Sequence, residues 1–168
     1  KLGDNEMALK GDRQIIQDSI DYFSSGLMEK GYIAVFGITA NTPSGGMGAG
    51  LDDADAFCYV PTGASGTIPL GVVLQDVVNK DLTQTHLNFQ KEEVQTGGKV
   101  TLLQRGWCFT NAVTGTPKAG DKAYLANNGV FSTTYTNSAA TPPVGVFKTR
   151  KDADGYISVY VDLPKNNS

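Results

Sequence analysis

One histidine, two cysteines and one tryptophan are all that 168 residues supply of the side chains on which much enzyme chemistry depends. Tetrahedral zinc takes four nitrogen or sulfur ligands at paired spacing, which His86, Cys58 and Cys108, spread through the chain, do not offer. A hydrolytic triad needs a base with a nucleophile and an orienting group in reach, and His86 stands alone among polar residues, so it reads as a surface histidine. Basic residues are equally scarce: the net charge is −3, and no Lys/Arg cluster is long enough to follow a phosphate backbone, which argues against nucleic acid. No apolar run approaches the ~20 residues of a membrane span, and the opening KLGDNEMALKGDR carries no apolar signal-peptide core. The expectation is a protein without membrane, metal or cofactor partners and without catalytic residues.

The two cysteines each lie within an apolar run, AFCYV and GWCFT, where a free thiol packs as a small hydrophobe. Neither has a basic neighbour to hold it as a thiolate, and a chain of this size needs no disulfide staple. Two further stretches imitate ligand loops. SGGMGAG resembles a phosphate-binding turn but lacks the Gly-Lys-Ser/Thr ending, and Asp52 and Asp53 follow where an anion would sit. Asp52-Asp53-Ala54-Asp55 and Asp152-Ala153-Asp154-Gly155 have the look of calcium loops without the glutamate at the twelfth position. The first reads as a surface loop and the second as a hairpin turn.

What is abundant is glycine, 20 residues, together with 7 prolines and fifteen aromatics, the composition of many short strands joined by turns. Asn128-Gly129 sits between residues 122–125 and 130–133, and Asp154-Gly155 between 144–149 and 156–163. Both dipeptides favour the positive φ of a two-residue hairpin turn, so each pair reads as a β-hairpin. In the last segment Ile157, Val159, Val161 and Leu163 alternate with Tyr156, Ser158, Tyr160 and Asp162, the pattern of a half-buried strand. Residues 32–39, 56–60, 68–78 and 99–109 are further strands, with a bend at Gly71 and an interruption at Gly106 after which Trp107 and Phe109 pack on one face. Residues 67–73 and 141–147 echo one another in their Pro-x-Gly-Val core, which suggests two similar strands. Residues 79–95 read as a long polar excursion.

The fold class is therefore all-β, a small β-barrel of short antiparallel strands with an N-terminal arm or short helix. Three parts are expected: an arm over residues 1–31, a β-domain over 32–164 and a polar tail over 165–168. In RQIIQDSIDYFSSG, Ile16, Ile20 and Phe23 fall at helical spacing behind a capping Asp12, while Ile16, Ile20 and Tyr22 suit an extended arm. Ile16, Ile20, Tyr22 and Phe23 are the candidate partner-binding set, because a segment this polar orders by burying those four side chains against something.

VTLLQRGWCFTNAVTGTPKAGDKAYLANNGVFSTT followed by PPVGVFKTRKDADGYISVYVDLP resembles the head decoration (cement) proteins of tailed bacteriophages. The shared features are the Trp-containing turn, Thr-Pro-x-Ala-Gly, Ala-Tyr-Leu-Ala-Asn, Val-Gly-x-Phe and the closing Asp-x-Asp-Gly-Tyr hairpin. The likeness covers residues 68–164. It implies a β-tulip or β-barrel module, a structural virion protein that assembles in the host cytoplasm and sits on the outer capsid surface. Its implied partners are the major capsid protein and neighbouring copies of itself, as a homotrimer. The rival reading is a carbohydrate- or receptor-binding β module with Tyr22, Tyr59 and Trp107 as a sugar platform.

Overall fold

A computed structural model describes residues 15–37, 57–77, 93–94, 96–134 and 143–163. His86, Asp52, Asp53, Asp55, the SGGMGAG loop, residues 1–14 and the 165–168 tail lie outside the described residues. Among the described residues eleven strands follow in chain order: β1 (Ile15–Ser24), β2 (Met28–Glu29), β3 (Ile33–Phe36), β4 (Phe57–Tyr59), β5 (Pro69–Val77), β6 (Glu93–Val94), β7 (Lys99–Thr110), β8 (Lys122–Leu125), β9 (Phe131–Ser132), β10 (Gly145–Phe147) and β11 (Ile157–Asp162). Nine of them form one sheet in the order β1-β4-β3-β5-β7-β11-β10-β8-β9, and β1 also pairs with β7. That extra pairing closes β1, β4, β3, β5 and β7 into a five-stranded barrel, while β11, β10, β8 and β9 continue outward from β7 as a second sheet. The all-β barrel reading of the sequence holds.

Residues 15–24 are a strand and not a helix. Ile20 lies opposite Leu102, Tyr22 opposite Val100 and Phe23 opposite Lys99, antiparallel along β7. Helical spacing of Ile16, Ile20 and Phe23 is a weak prior, and an open barrel edge offering a ladder of backbone partners overrides it. Asp21 strengthens the seam: Thr101 Oγ1 donates to its Oδ1 at 2.7 Å and Lys99 Nζ lies 3.2 Å from its Oδ2. The Thr101 hydrogen bond, ahead of Lys99, holds the Asp21 carboxyl below its ordinary pKa, against the opposing pull of desolvation. Deleting residues 1–30 thus removes a wall of the barrel rather than a free arm.

Two cores result. The barrel interior holds Met28, Ala34, Cys58, Leu70, Val73, Val94, Val100 and Leu102. Met28 and Val94 arrive there on the short ribbon β2–β6, so Val94 of the expected polar excursion belongs to the core. The second core lies between the outer face of the barrel and the second sheet, and takes Ile33, Val35, Val72, Leu74 and Leu103 from the barrel strands. Phe131, Phe147, Ile157, Val159 and Val161 oppose them, with the Phe131 and Phe147 rings 6.4 Å apart at 69°. Burying each phenylalanine contributes about 1.5–3 kcal/mol before ordering costs. β3 and β5 are covered on both faces, and this explains why IAVF and LGVVL read as continuous apolar runs instead of alternating.

The turns refine the sequence reading. Asn128 and Gly129 take the expected positive φ, 60° and 69°, but Ala126 N–H donates to Val130 O at 2.9 Å, so the loop is a three-residue 3-10 turn over Asn127–Gly129 and not a two-residue one. The second hairpin differs: only Gly155 has positive φ, at 84°, and its N–H donates to Asp152 O at 3.1 Å, so the turn spans residues 152–155. Asp152 Oδ1 accepts from the N–H groups of Asp154 (3.1 Å) and Tyr156 (2.8 Å), so the aspartate of the calcium-like motif builds the turn. The echo between residues 67–73 and 141–147 has a steric basis. A Cβ on Gly71 would lie 2.8 Å from Leu102 Cβ, and one on Gly145 only 2.1 Å from Tyr160 O, so both glycines let a strand press on its neighbour.

Gly145→Ala is accordingly expected to destabilise the protein by about 1–3 kcal/mol or more, because a backbone carbonyl cannot move aside as a side-chain tip does. Gly63→Ala, where nothing lies within 4 Å, is the control. Denaturant unfolding of both variants checks this, and equal midpoints contradict the register of β10 on β11.

Candidate functional site

The face of the second sheet turned away from the core is where chemistry-bearing side chains gather. Strand β7 reaches it through a change of face. Val100 and Leu102 point into the barrel and Leu103 into the second core, yet Cys108 also lies in the second core. Strict alternation would put Leu103 and Cys108 on opposite faces. The ladder with β1 passes from Leu103 opposite Ser19 to Arg105 opposite Asp18, leaving Gln104 as the extra residue of a bulge. Gly106 follows at φ 145° without ending the strand. Trp107 and Phe109 do share a face, as expected, but it is the outer one, while Cys108 and Thr110 are buried.

Sheet register then lines up a row across four strands: Lys122 on β8 is opposite Val146 on β10, Val146 opposite Tyr160 on β11, and Tyr160 opposite Trp107 on β7. The Trp107 and Tyr160 rings meet edge to face, 5.5 Å apart at 67°. Lys148 Nζ lies over both, 5.7 Å from the Trp107 centroid and 5.5 Å from that of Tyr160. A cation held by two ring faces gains about 0.5–1 kcal/mol at an exposed site. One pair further along, Arg105 Nε donates to Asp162 Oδ1 at 2.8 Å. Toward the other end Ser158 is 1% exposed, and its Oγ has no hydrogen-bond partner among the described residues.

Two of the four candidate partner-binding residues of β1, Tyr22 and Phe23, pack inside the chain. Tyr22 packs edge to face on Phe36 at 6.1 Å and Phe23 tilts over Phe57 at 6.3 Å. Ile20 stays 38% exposed, and the backbone of Ile16 pairs with Gly106. The three aromatics of the sugar-platform reading are apart: Tyr22 packs on the barrel core, Tyr59 on the second core, and Trp107 on the outer face. The Lys148 cluster escaped sequence reading because its members come from β7, β11 and the residue that follows β10. Its one local signal was the alternation that turns Tyr160 outward.

Both cysteines are free and buried. Desolvation pushes each thiol up to about 12. Among the described residues no group of three or more His, Cys, Asp or Glu side chains is placed to hold a metal ion.

A family model of phage capsid structural proteins matches residues 24–161, from the end of β1 to the next-to-last residue of β11, and so spans both cores. The chain is thus a structural component of a phage capsid, found in the virion. It belongs to the XM1 gp53 minor capsid protein family. No curated protein matches the chain.

The thiols give a pH prediction. Their folded pKa is raised, so their contribution to stability is complete below the unfolded value of roughly 8.5 and is lost as pH climbs toward 12. At pH 8 iodoacetamide should label neither Cys58 nor Cys108 until denaturant is added, and the melting temperature should fall between pH 9 and 12. Labelling of the native protein at the rate of an open thiol contradicts the burial.

Proposed function

We propose that this chain is a decoration, or cement, protein: it binds the outer surface of the phage head and reinforces the lattice of the major capsid protein without catalysing a reaction. The observation that carries the reading is the minor-capsid family match across both cores, joined to the resemblance of residues 68–164 to head decoration proteins. Two buried thiols, protonated at neutral pH, fit a scaffold better than a nucleophile. Neighbouring copies meet as a homotrimer around capsid junctions, so that modest contacts sum through multivalency. Assembly takes place in the host cytoplasm, and neither nucleic acid nor membrane is a partner.

The test is addition of the purified full chain to heads that lack it, followed by sedimentation. Saturable binding at a fixed copy number, with heads that resist heating better than bare ones, is the expected result. Heads that stay bare at micromolar chain, or chain recovered only from the interior of particles assembled in its presence, contradict the reading.

A further inference from the structure

We propose that the outer face of the second sheet is the surface that meets the shell, and that it recognises an acidic protein surface through Lys122 and Lys148 beside Trp107 and Tyr160. The inference rests on the decoration reading and adds to it the contact face and the chemistry of the partner.

Charge distribution carries the argument. The whole chain is acidic, at net −3, yet Lys118, Lys122, Lys148 and Arg150 are exposed together at one end of β8 and β10. The turn bearing Lys118 is fastened there, since Gly120 N–H donates to Phe147 O at 2.8 Å and Phe147 N–H to Asp121 O at 2.9 Å. Among the described residues none of these four cations is paired with a carboxylate. The nearby carboxylates are engaged already: Asp121 accepts from the N–H of Lys118 at 2.8 Å, Asp152 closes its own turn, and Asp162 holds Arg105. Asp154 sits in the same turn as Asp152 and also has a partner. Hydrogen bonds from backbone N–H leave Asp121, Asp152 and Asp154 charged, but the five cations Lys118, Lys122, Lys148, Arg150 and Lys151 outnumber these three carboxylates while Arg105 and Asp162 cancel, so the described residues of this region are net positive, against the sign of the molecule as a whole.

Its apolar component has the make-up of a contact surface. Trp107, Tyr160 and Val146 are half-buried on a hydrogen-bonded sheet, and Trp and Tyr are among the residues enriched at the centres of protein interfaces. The rings also fix Lys148 in place, so less side-chain freedom is lost when a carboxylate arrives. A partner surface covering the rings would exclude water from the Lys148–carboxylate pair and strengthen it.

The experiment uses the full chain and heads lacking it, at low and high salt. Lys122→Gln and Lys148→Gln are compared singly and together with Thr62→Glu, which makes the same one-unit change at an exposed position in the loop between β4 and β5. The double variant should bind about tenfold more weakly than the parent and lose much of the salt dependence, while Thr62→Glu stays within about twofold. Melting temperatures of all variants exclude misfolding as the cause. Zero-length carbodiimide coupling on decorated heads should join Lys122 or Lys148 to a shell-protein carboxylate. Parent-like binding by the double variant, or coupling of these lysines only to a second copy of this chain, overturns the inference and leaves the decoration reading standing. If the parent itself leaves heads bare, both fall.

Discussion

Everything in this molecule depends on β7 serving two cores. Its first half lines the barrel, its second half founds the outer sheet, and the single extra residue Gln104 is where one edge passes from β5 to β11. Leu163 N–H donates to Gln104 O at 3.2 Å, so even the bulge carbonyl is paired where the two neighbours part. Thr110 ends the strand with its Oγ1 donating to Gly31 O at 3.1 Å and accepting from Ala112 N–H at 3.0 Å. A buried hydroxyl that satisfies two elements at once ties the barrel to the connections of the second sheet. With β3 and β5 shared in the same manner, neither core can open without exposing the other.

Much of this was legible because it is local. Asn128-Gly129 reports its own backbone conformation, and the alternation of Ile157, Val159 and Val161 reports a strand with one face in a core. Where the signal is not local the sequence misleads. Ile16, Ile20 and Phe23 fit a helix as well as an edge, and only the ladder along β7, a pairing eighty residues away, decides between them. The face of Trp107 was hidden for a related reason: a one-residue bulge reverses every side chain beyond it, and Gln104 looks like any other strand residue. Asp154 shows a subtler miss. An Asp-Gly step was read as a two-residue turn, but the Asp152 carboxylate accepts two N–H groups ahead and stretches the loop, leaving left-handed geometry to Gly155 alone.

For a component of a phage capsid these features have a mechanical sense. Two interlocked cores resist local unfolding, and strands carry load through ladders of backbone hydrogen bonds instead of a few side-chain contacts. The paired and twisted second sheet offers a stiff platform, on which Trp107, Tyr160 and Lys148 are held at fixed spacing. Rigid elements position contact residues with less entropy lost on binding than loops do, which suits a surface repeated many times over a shell.

The central claim is that this chain stands on the outside of the head with the second sheet toward the shell. Imaging of intact particles at side-chain resolution tests it most directly. The account predicts ordered density for the five-stranded barrel and its outer sheet on the exterior, with Trp107 and Lys148 at the contact with the major capsid protein. Density confined to the interior or the portal region, or an exterior copy that turns this face to solvent, would contradict it.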